Sequence, residues 1–245
     1  MAADLIDIPV AILAGGLATR LRPLTETVPK VLLEVAGKPF LEHQLAMLRG
    51  QGIRRVVLCL GFLGEQVRLK FGDGSGYGVE ILYSFDGPVL LGTGGAIRQA
   101  LPLLGDTFFV LYGDSFLNID FGQVARTLTK SGRSGLMTVF NNQDQWDASN
   151  VWFADGQIKL YDKSARIPDM RHIDYGLSVF RSSVFTAYSA GVALDLTHVL
   201  KDLVAKGDLA GYEADQRLDE ISSNSGLKEL DRYLTGREEP NYDVY

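Results

Sequence analysis

Short, wholly apolar runs alternate along this chain with stretches in which apolar positions recur at helical spacing. Pro9–Ala14, Arg54–Gly61, Val79–Phe85 and Thr107–Tyr112 read as strands, apolar on both faces as in a parallel sheet. Residues 134–140 continue the series, and Val31–Val35 reads as a short extended piece. Pro39 opens a predicted helix with Phe40, Leu41, Leu45 and Leu48 on one face, ended by Gly50 and Gly52. Further helices are predicted around Gly64–Phe71, from the glycine cluster at 90–96 through Leu104, and over 120–131, with a glycine-rich turn at 71–78. Strands alternating with helices argue for βαβ units and against a sandwich.

The pattern changes after about residue 141. Val151–Phe153 and Gln157–Tyr161 flank Ala154-Asp155-Gly156, a hairpin turn signal. His172–Arg181 is a further strand, Ser182–Tyr188 and Leu196–Lys206 read as helices, and Leu209–Ala214 and Arg217–Ser222 are short extended pieces. A final helix starts near Ser225, and the tail REEPNYDVY is polar. The expected fold is α/β: a Rossmann-like, doubly wound, mostly parallel sheet with helices on both faces and a small antiparallel appendage. It forms a single domain over 1–245, divided at about 140 into a first half and a second half running to about 235. Gly15-Gly16, Gly92-Thr93 and Asp114 all fall at or just beyond strand ends, where such sheets bind ligands.

Composition narrows the function. The 245 residues are 46% hydrophobic and 22% charged, ordinary globular values that allow a sizeable core. A net charge of −6 argues against a nucleic-acid backbone partner. The one cysteine, Cys59, lies in an apolar run and reads as a buried thiol in a reducing compartment. The N-terminal MAADLIDIPV has acids where a secretory leader has basic residues, and no run has the ~20 apolar residues of a membrane span. The expectation is a cytoplasmic protein without a membrane role; a homo-oligomer is left open.

Cations are concentrated where chemistry could use them. Val10–Lys30 runs from an apolar strand into Gly15-Gly16 and then a polar loop with Arg20, Arg22 and Lys30, pinned by Pro23 and Pro29. Exposed backbone N–H groups on a glycine turn, with fixed cations beside them, suit phosphates. The spacing matches neither the P-loop nor the dinucleotide G-x-G-x-x-G pattern. Asp114, beyond Gly113 at the end of the apolar strand, suits Mg²⁺ or a turn cap.

Leu13 through Lys30 spells LAGG-x-x-T-R-x-x-P-x-T-x-x-x-P-K. With Lys38-Pro39-Phe40-Leu41, Leu91–Ala96 (LGTGGA) and Gly113-Asp114, it resembles the sugar-1-phosphate nucleotidyltransferase family, densely in the first half and sparsely in the second. IDYGLSVF (173–180) resembles the heptose 1-phosphate guanylyltransferases within it. Ala18 stands where the family commonly has glycine, and a positive φ there would be strained.

The resemblance implies an NTP and a sugar 1-phosphate as substrates and Mg²⁺ as cofactor. Arg20 would bind the β/γ-phosphates, Lys30 would act near the α-phosphate, and Asp114 would bind metal. Leu13, Ala14, Gly15, Gly16, Gly92 and Thr93 would contact the nucleotide. The second metal carboxylate would be Glu220, with Asp219 as rival. Lys163 would grip the sugar phosphate, and Asp162, Asn150, Tyr175 and Gly176 would line the sugar. Asp86 could accept guanine's N1–H and N2–H₂, which favours GTP, or it could initiate the Asp86-Gly87-Pro88 turn.

Overall fold

The computed structural model describes residues 7–145, 147–216 and 219–236. Arg217 and Leu218, where the last extended piece was expected to begin, and the polar tail lie outside them. The first half contains β1 (Val10–Leu13), the two-residue strands β2 (Glu34–Val35) and β3 (Lys38–Pro39), α1 (Phe40–Gly50), β4 (Arg55–Leu60), α2 (Gly64–Phe71), β5 (Glu80–Phe85), α3 (Gly92–Leu104), β6 (Thr107–Tyr112), β7 (Ser115–Phe116), α4 (Phe121–Ser131) and β8 (Gly135–Asn141). The second contains β9 (Val151–Ala154), β10 (Gln157–Tyr161), β11 (His172–Arg181), the single turn α5 (Ser183–Thr186), α6 (Leu196–Ala205), β12 (Leu209–Ala214), β13 (Asp219–Glu220) and α7 (Asn224–Thr235). The piece expected to be extended over 31–35 begins instead as a 3-10 turn, Lys30–Leu32.

Among the described residues, nine strands form one sheet in the order β5-β4-β1-β6-β11-β8-β12-β10-β9. β5, β4, β1 and β6 are parallel neighbours, as are β8 and β12. The α/β sheet with helices on both faces is therefore as expected, and its antiparallel part is more deeply built in than an appendage. β11 runs antiparallel between β6 and β8 in the middle of the sheet. The reason is the apolar stretch Tyr175–Phe180, buried throughout, which needs strands on both sides.

Strand alternation sends side chains to two cores. Val10 and Ile12 join Val56, Leu58, Leu60 and the inner faces of α1, α2, α4 and α7. Ala11, Val57 and Cys59 face the other way, against Ile97 and Ala100 of α3 and Val199 and Leu200 of α6. No helix among the described residues is long and apolar enough to cross a membrane. The chain leaves β1 for β4 and β5 on one side and returns to β6 on the other, so the carboxyl ends of β1 and β6 flank a crevice.

Candidate active site

That crevice holds a cavity of about 310 Å³. Leu13, Ala14, Gly15, Gly16, Asp86, Gly92 and Thr93, the whole set assigned to the nucleotide side, line it together with Lys30 and Asp114. Its edges require glycine for close approach. A Cβ at Gly15 would lie 2.9 Å from the Gly61 backbone nitrogen, and one at Gly113 would lie 2.6 Å from the Leu13 carbonyl oxygen. The loops carrying Gly15-Gly16 and Asp114 therefore pack directly on the strand ends.

Ala18 adopts the left-handed conformation, φ 47° and ψ 45°, at a cost of roughly 1–2 kcal/mol for a residue with a Cβ. Its carbonyl accepts the Thr25 hydroxyl at 2.8 Å and the Leu21 N–H at 3.0 Å. Thr25 is buried, so this motif threonine ties the loop to itself. The following turn, Thr19–Leu21, buries Leu21 and leaves Arg20 exposed. Arg20 is accordingly outside the residues that line the cavity.

Lys30 donates to Asp114 across the crevice, Nζ to Oδ2 at 2.7 Å, with both side chains largely shielded. The turn beneath Asp114 is clamped by Gln44 of α1, a fully buried residue. Its Nε2 donates to the carbonyls of Tyr112 (3.1 Å) and Ser115 (2.8 Å), on either side of Gly113-Asp114. Gln44 was legible only as a polar residue on the apolar face of α1. Glu220 pairs with Ser115 in the β13–β7 ribbon, and the Ile221 N–H donates to the Asp114 carbonyl at 2.9 Å. The Glu220 carboxylate accepts a hydrogen bond from the Ser222 hydroxyl. Two carboxylate residues are thus brought to one place by backbone pairing, with a cation already on one of them. Both side chains are hard oxygen donors of the type Mg²⁺ takes; Asp114 lines the cavity and Glu220 does not.

Asp86 is half-buried at the cavity wall, where its Oδ2 accepts the Leu91 N–H at 3.1 Å. Burial raises its carboxyl above the usual range, against the lowering effect of that hydrogen bond. Cys59 also lines the cavity; burial first, then the Asp86 charge, push its thiol up to about 12.

The sugar-side assignments fall beyond β10 and along β11. The Asn150 N–H donates to the His172 carbonyl and the Asn150 carbonyl accepts the Asp162 N–H, so Asn150 bridges the ends of the two strands. Asp162 is engaged locally: Oδ1 accepts the N–H groups of Ser164 and Ala165, and Oδ2 takes Lys201 of α6 at 2.8 Å. The Lys201 bond, then the backbone donors, hold its carboxyl well below the usual range. Lys163 next to it is exposed.

Tyr175 requires a correction. Its side chain is fully buried in the core, its ring tilted against Phe140 with centroids 6.4 Å apart, so it offers nothing to a ligand. Successive residues of a strand point to opposite faces, and the neighbouring acid, Asp174, lies on the other one, beside Tyr161 and in the field of Lys163. Gly176 was expected to leave room for a sugar ring. It has φ +91°, and a Cβ there would lie 2.9 Å from the Ser115 hydroxyl oxygen, so the room is taken by the residue beside Asp114.

Sequence reasoning missed Asp174 and Asp195. Asp174 is partly buried in β11, its Oδ1 accepting the Gly176 N–H at 3.0 Å. Burial lifts its carboxyl, opposed by that N–H, Lys163 and Tyr161. Asp195 caps α6 through the Thr197 N–H at 2.7 Å. Burial pushes its carboxyl up, but Thr197, Lys163 and His198 hold it below the usual range. Burial, with the charges of Asp174, Tyr161, Asp195 and Asp114 facing it, raises the Tyr112 hydroxyl well above its ordinary value. These groups form a cluster of acids and phenols joined to the crevice through Tyr112, which lines it. The signal was an acid inside an otherwise apolar strand.

Similarity to known proteins extends to both the fold and the family. A family profile described as Nucleotidyl transferase matches residues 10–212. The chain is 35% identical over 210 residues to N-acetylmuramate alpha-1-phosphate uridylyltransferase of Neisseria meningitidis serogroup B, covering 82% of this chain and 87% of that protein. It is 31% identical over 178 residues to D-glycero-alpha-D-manno-heptose 1-phosphate guanylyltransferase of Campylobacter jejuni, covering 73% and 78%. It spans only 52% of UTP--glucose-1-phosphate uridylyltransferase of Synechocystis, to which it is 28% identical over 76% of its own length. A crystal structure of HddC from Yersinia pseudotuberculosis superposes with a TM-score of 0.76 at 19% identity, covering 93% of this chain and 99% of that one. The chain belongs to the nucleotidyl transferase family, among the sugar-1-phosphate nucleotidyltransferases.

Proposed function

We propose that the chain condenses GTP with a heptose or hexose 1-phosphate, giving a GDP-sugar and pyrophosphate. A phosphate oxygen of the sugar attacks the α-phosphorus in line, forming one P–O bond as the bond to the β-phosphate breaks and pyrophosphate leaves. The attacking group is already an anion, so no general base is needed; positioning and charge neutralisation do the catalysis. The observation that carries this reading is the Lys30–Asp114 pair, 2.7 Å apart, inside a glycine-edged crevice. Lys30 supplies positive charge at the α-phosphate. Arg20 lies outside the cavity, so binding the β/γ-phosphates would require its loop to fold over them. Asp114 and Glu220 would hold Mg²⁺, which supplies neutralisation of phosphate charge when bound. Lys163 faces the sugar phosphate, and Asp174 and Asp195 accept from its hydroxyl groups. Asp162, bound to Lys201, holds the Lys163 loop in place.

The preference for guanine rests on Asp86, whose carboxylate can accept both guanine N–H groups. A second reading, UTP with an amino-sugar 1-phosphate, is favoured by the 35% identical meningococcal uridylyltransferase. A matrix of the four NTPs against sugar 1-phosphates, scored by pyrophosphate release, tests both. The expected result is turnover highest with GTP, and a loss of base preference in Asp86→Ala. The same NTP ranking in wild type and Asp86→Ala would refute the role of Asp86. A silent sugar-nucleotide-binding subunit would release no pyrophosphate with any pair.

A further inference from the structure

The sequence assigns Gly92 and Thr93 of the GTGGA motif at the start of α3 to the nucleotide, and Gly92, Thr93 and Ala96 do line the cavity. Gly94 and Gly95 do not, and their surroundings point elsewhere. Both donate their N–H groups to one acceptor, the Leu194 carbonyl, at 2.9 and 3.0 Å. The Leu194 N–H returns a bond to the Leu91 carbonyl at 2.8 Å, and the Leu196 N–H donates to the Thr93 hydroxyl at 2.8 Å. Two amides at this helix end that could have faced a phosphate are therefore spent on a segment of the second half.

The same segment explains why these positions are glycine. A Cβ at Gly94 would lie 2.9 Å from Leu194 Cγ and 3.2 Å from the Asp195 carbonyl carbon. One at Gly95 would lie 2.8 Å from the Val192 carbonyl oxygen and 3.3 Å from the Leu194 nitrogen. Neither glycine has a positive φ, so conformational freedom is not the reason for either. In a helix an alanine would otherwise be preferred by roughly 1 kcal/mol. Close seating of residues 192–195 is what excludes it. The residue delivered by that seat is Asp195, whose carboxylate caps α6 and stands in the field of Lys163.

We propose that Gly94 and Gly95 are positioning residues for the sugar-phosphate side of the site: they seat the 192–195 segment so that Asp195 faces Lys163 across the bound sugar. This rests on the transfer reading above. One helix end then serves both substrates, its Gly92-Thr93 face toward the nucleotide and its Gly94-Gly95 face toward the segment that meets the sugar. Misplacement of a substrate-holding group by about 1 Å can cost on the order of 10²-fold, so the effect should be large and confined to one substrate.

The test compares wild type with Gly94→Ala, Gly95→Ala and Asp195→Asn, using the NTP and sugar 1-phosphate that the matrix identifies. Asp195→Asn keeps a side-chain oxygen for the helix cap and so remains a folded control if an alanine variant does not fold. The expected result is a KM for the sugar 1-phosphate raised at least about tenfold in each folded variant, with the KM for the NTP within about twofold of wild type. A merely structural role would move both constants or only the melting temperature. An equal rise in the KM for the NTP, or a wild-type KM for the sugar 1-phosphate in Asp195→Asn, overturns the proposal. Amide hydrogen exchange on substrate-free wild type gives an independent reading: Gly94, Gly95 and Leu196 should be protected, and fast exchange at the two glycines also overturns it. If wild type turns over no pair, the transfer reading fails, while exchange still decides whether the seat exists.

Discussion

On the nucleotide side of the crevice an acid and a base are matched: Lys30 sits on Asp114, the Gln44 amide pins the turn on both sides of the carboxylate, and glycine contacts hold the loops to the strand ends. On the sugar side, Asp174 and Asp195 stand together with Tyr112 and Tyr161, and Lys163, the cation acting on both acids, is itself exposed. The first arrangement is settled within the protein alone. The second carries the acceptors that, in the function proposed above, the sugar's hydroxyl groups would complete. The difference teaches that the matched pair joins two turns at neighbouring strand ends, those carrying Lys30 and Asp114, whereas the acids and phenols of the other side are collected from β6, β10, β11 and the start of α6.

The largest test of that contrast is Lys30→Ala. It removes a preset charge from the place where phosphate charge is handled, and turnover should fall about 10²–10³-fold, as for loss of one preorganised donor. A rate within a few-fold of wild type, measured by pyrophosphate release, would mean that Lys30 only stabilises the resting pair.

A smaller effect should come from Asp174→Asn on the sugar side, and its sign is opposite for stability and function. Burial raises the folded-state pKa of Asp174, so the ionised form is disfavoured in the fold. Its contribution to stability therefore declines as pH rises from the unfolded carboxylate value through the folded one. Asparagine lacks this penalty. The variant should melt higher than wild type at pH 7, the gap closing as pH falls below the ordinary aspartate range, while kcat/KM for the sugar 1-phosphate drops. Thermal melts that show no gap at pH 7, or one that widens in acid, would contradict the assignment of Asp174 as an acid kept for recognition at a cost to the fold.

Much of the nucleotide side was legible because its residues are close in sequence and of unusual type. Leu13 to Lys30 carries glycines, prolines and cations at fixed spacing, and Gly113-Asp114 ends an apolar strand. Ala18 was readable as a site of strain, and it does adopt a left-handed conformation. Glu220, expected from the LDEISS segment, pairs with Ser115, the residue after Asp114, and is not among the residues that line the cavity. The sugar side was harder for a physical reason: strand register decides which of two adjacent residues faces the site. Tyr175 looked like a ligand contact and is core, while Asp174 faces the acid cluster. The place of β11 inside the sheet depends on long-range pairing, which local periodicity does not encode. The glycines of GTGGA were legible as a motif, but the segment they seat lies about a hundred residues away in sequence.

The central claim, that both anionic substrates meet at Asp114 and react there directly, is tested most directly by following pyrophosphate and NDP-sugar together in wild type and Asp114→Ala. Wild type should release pyrophosphate only when both substrates are present, in step with NDP-sugar, and Asp114→Ala should release none above background. Equal turnover by the folded Asp114→Ala protein, or pyrophosphate release by wild type without a sugar 1-phosphate, would contradict it.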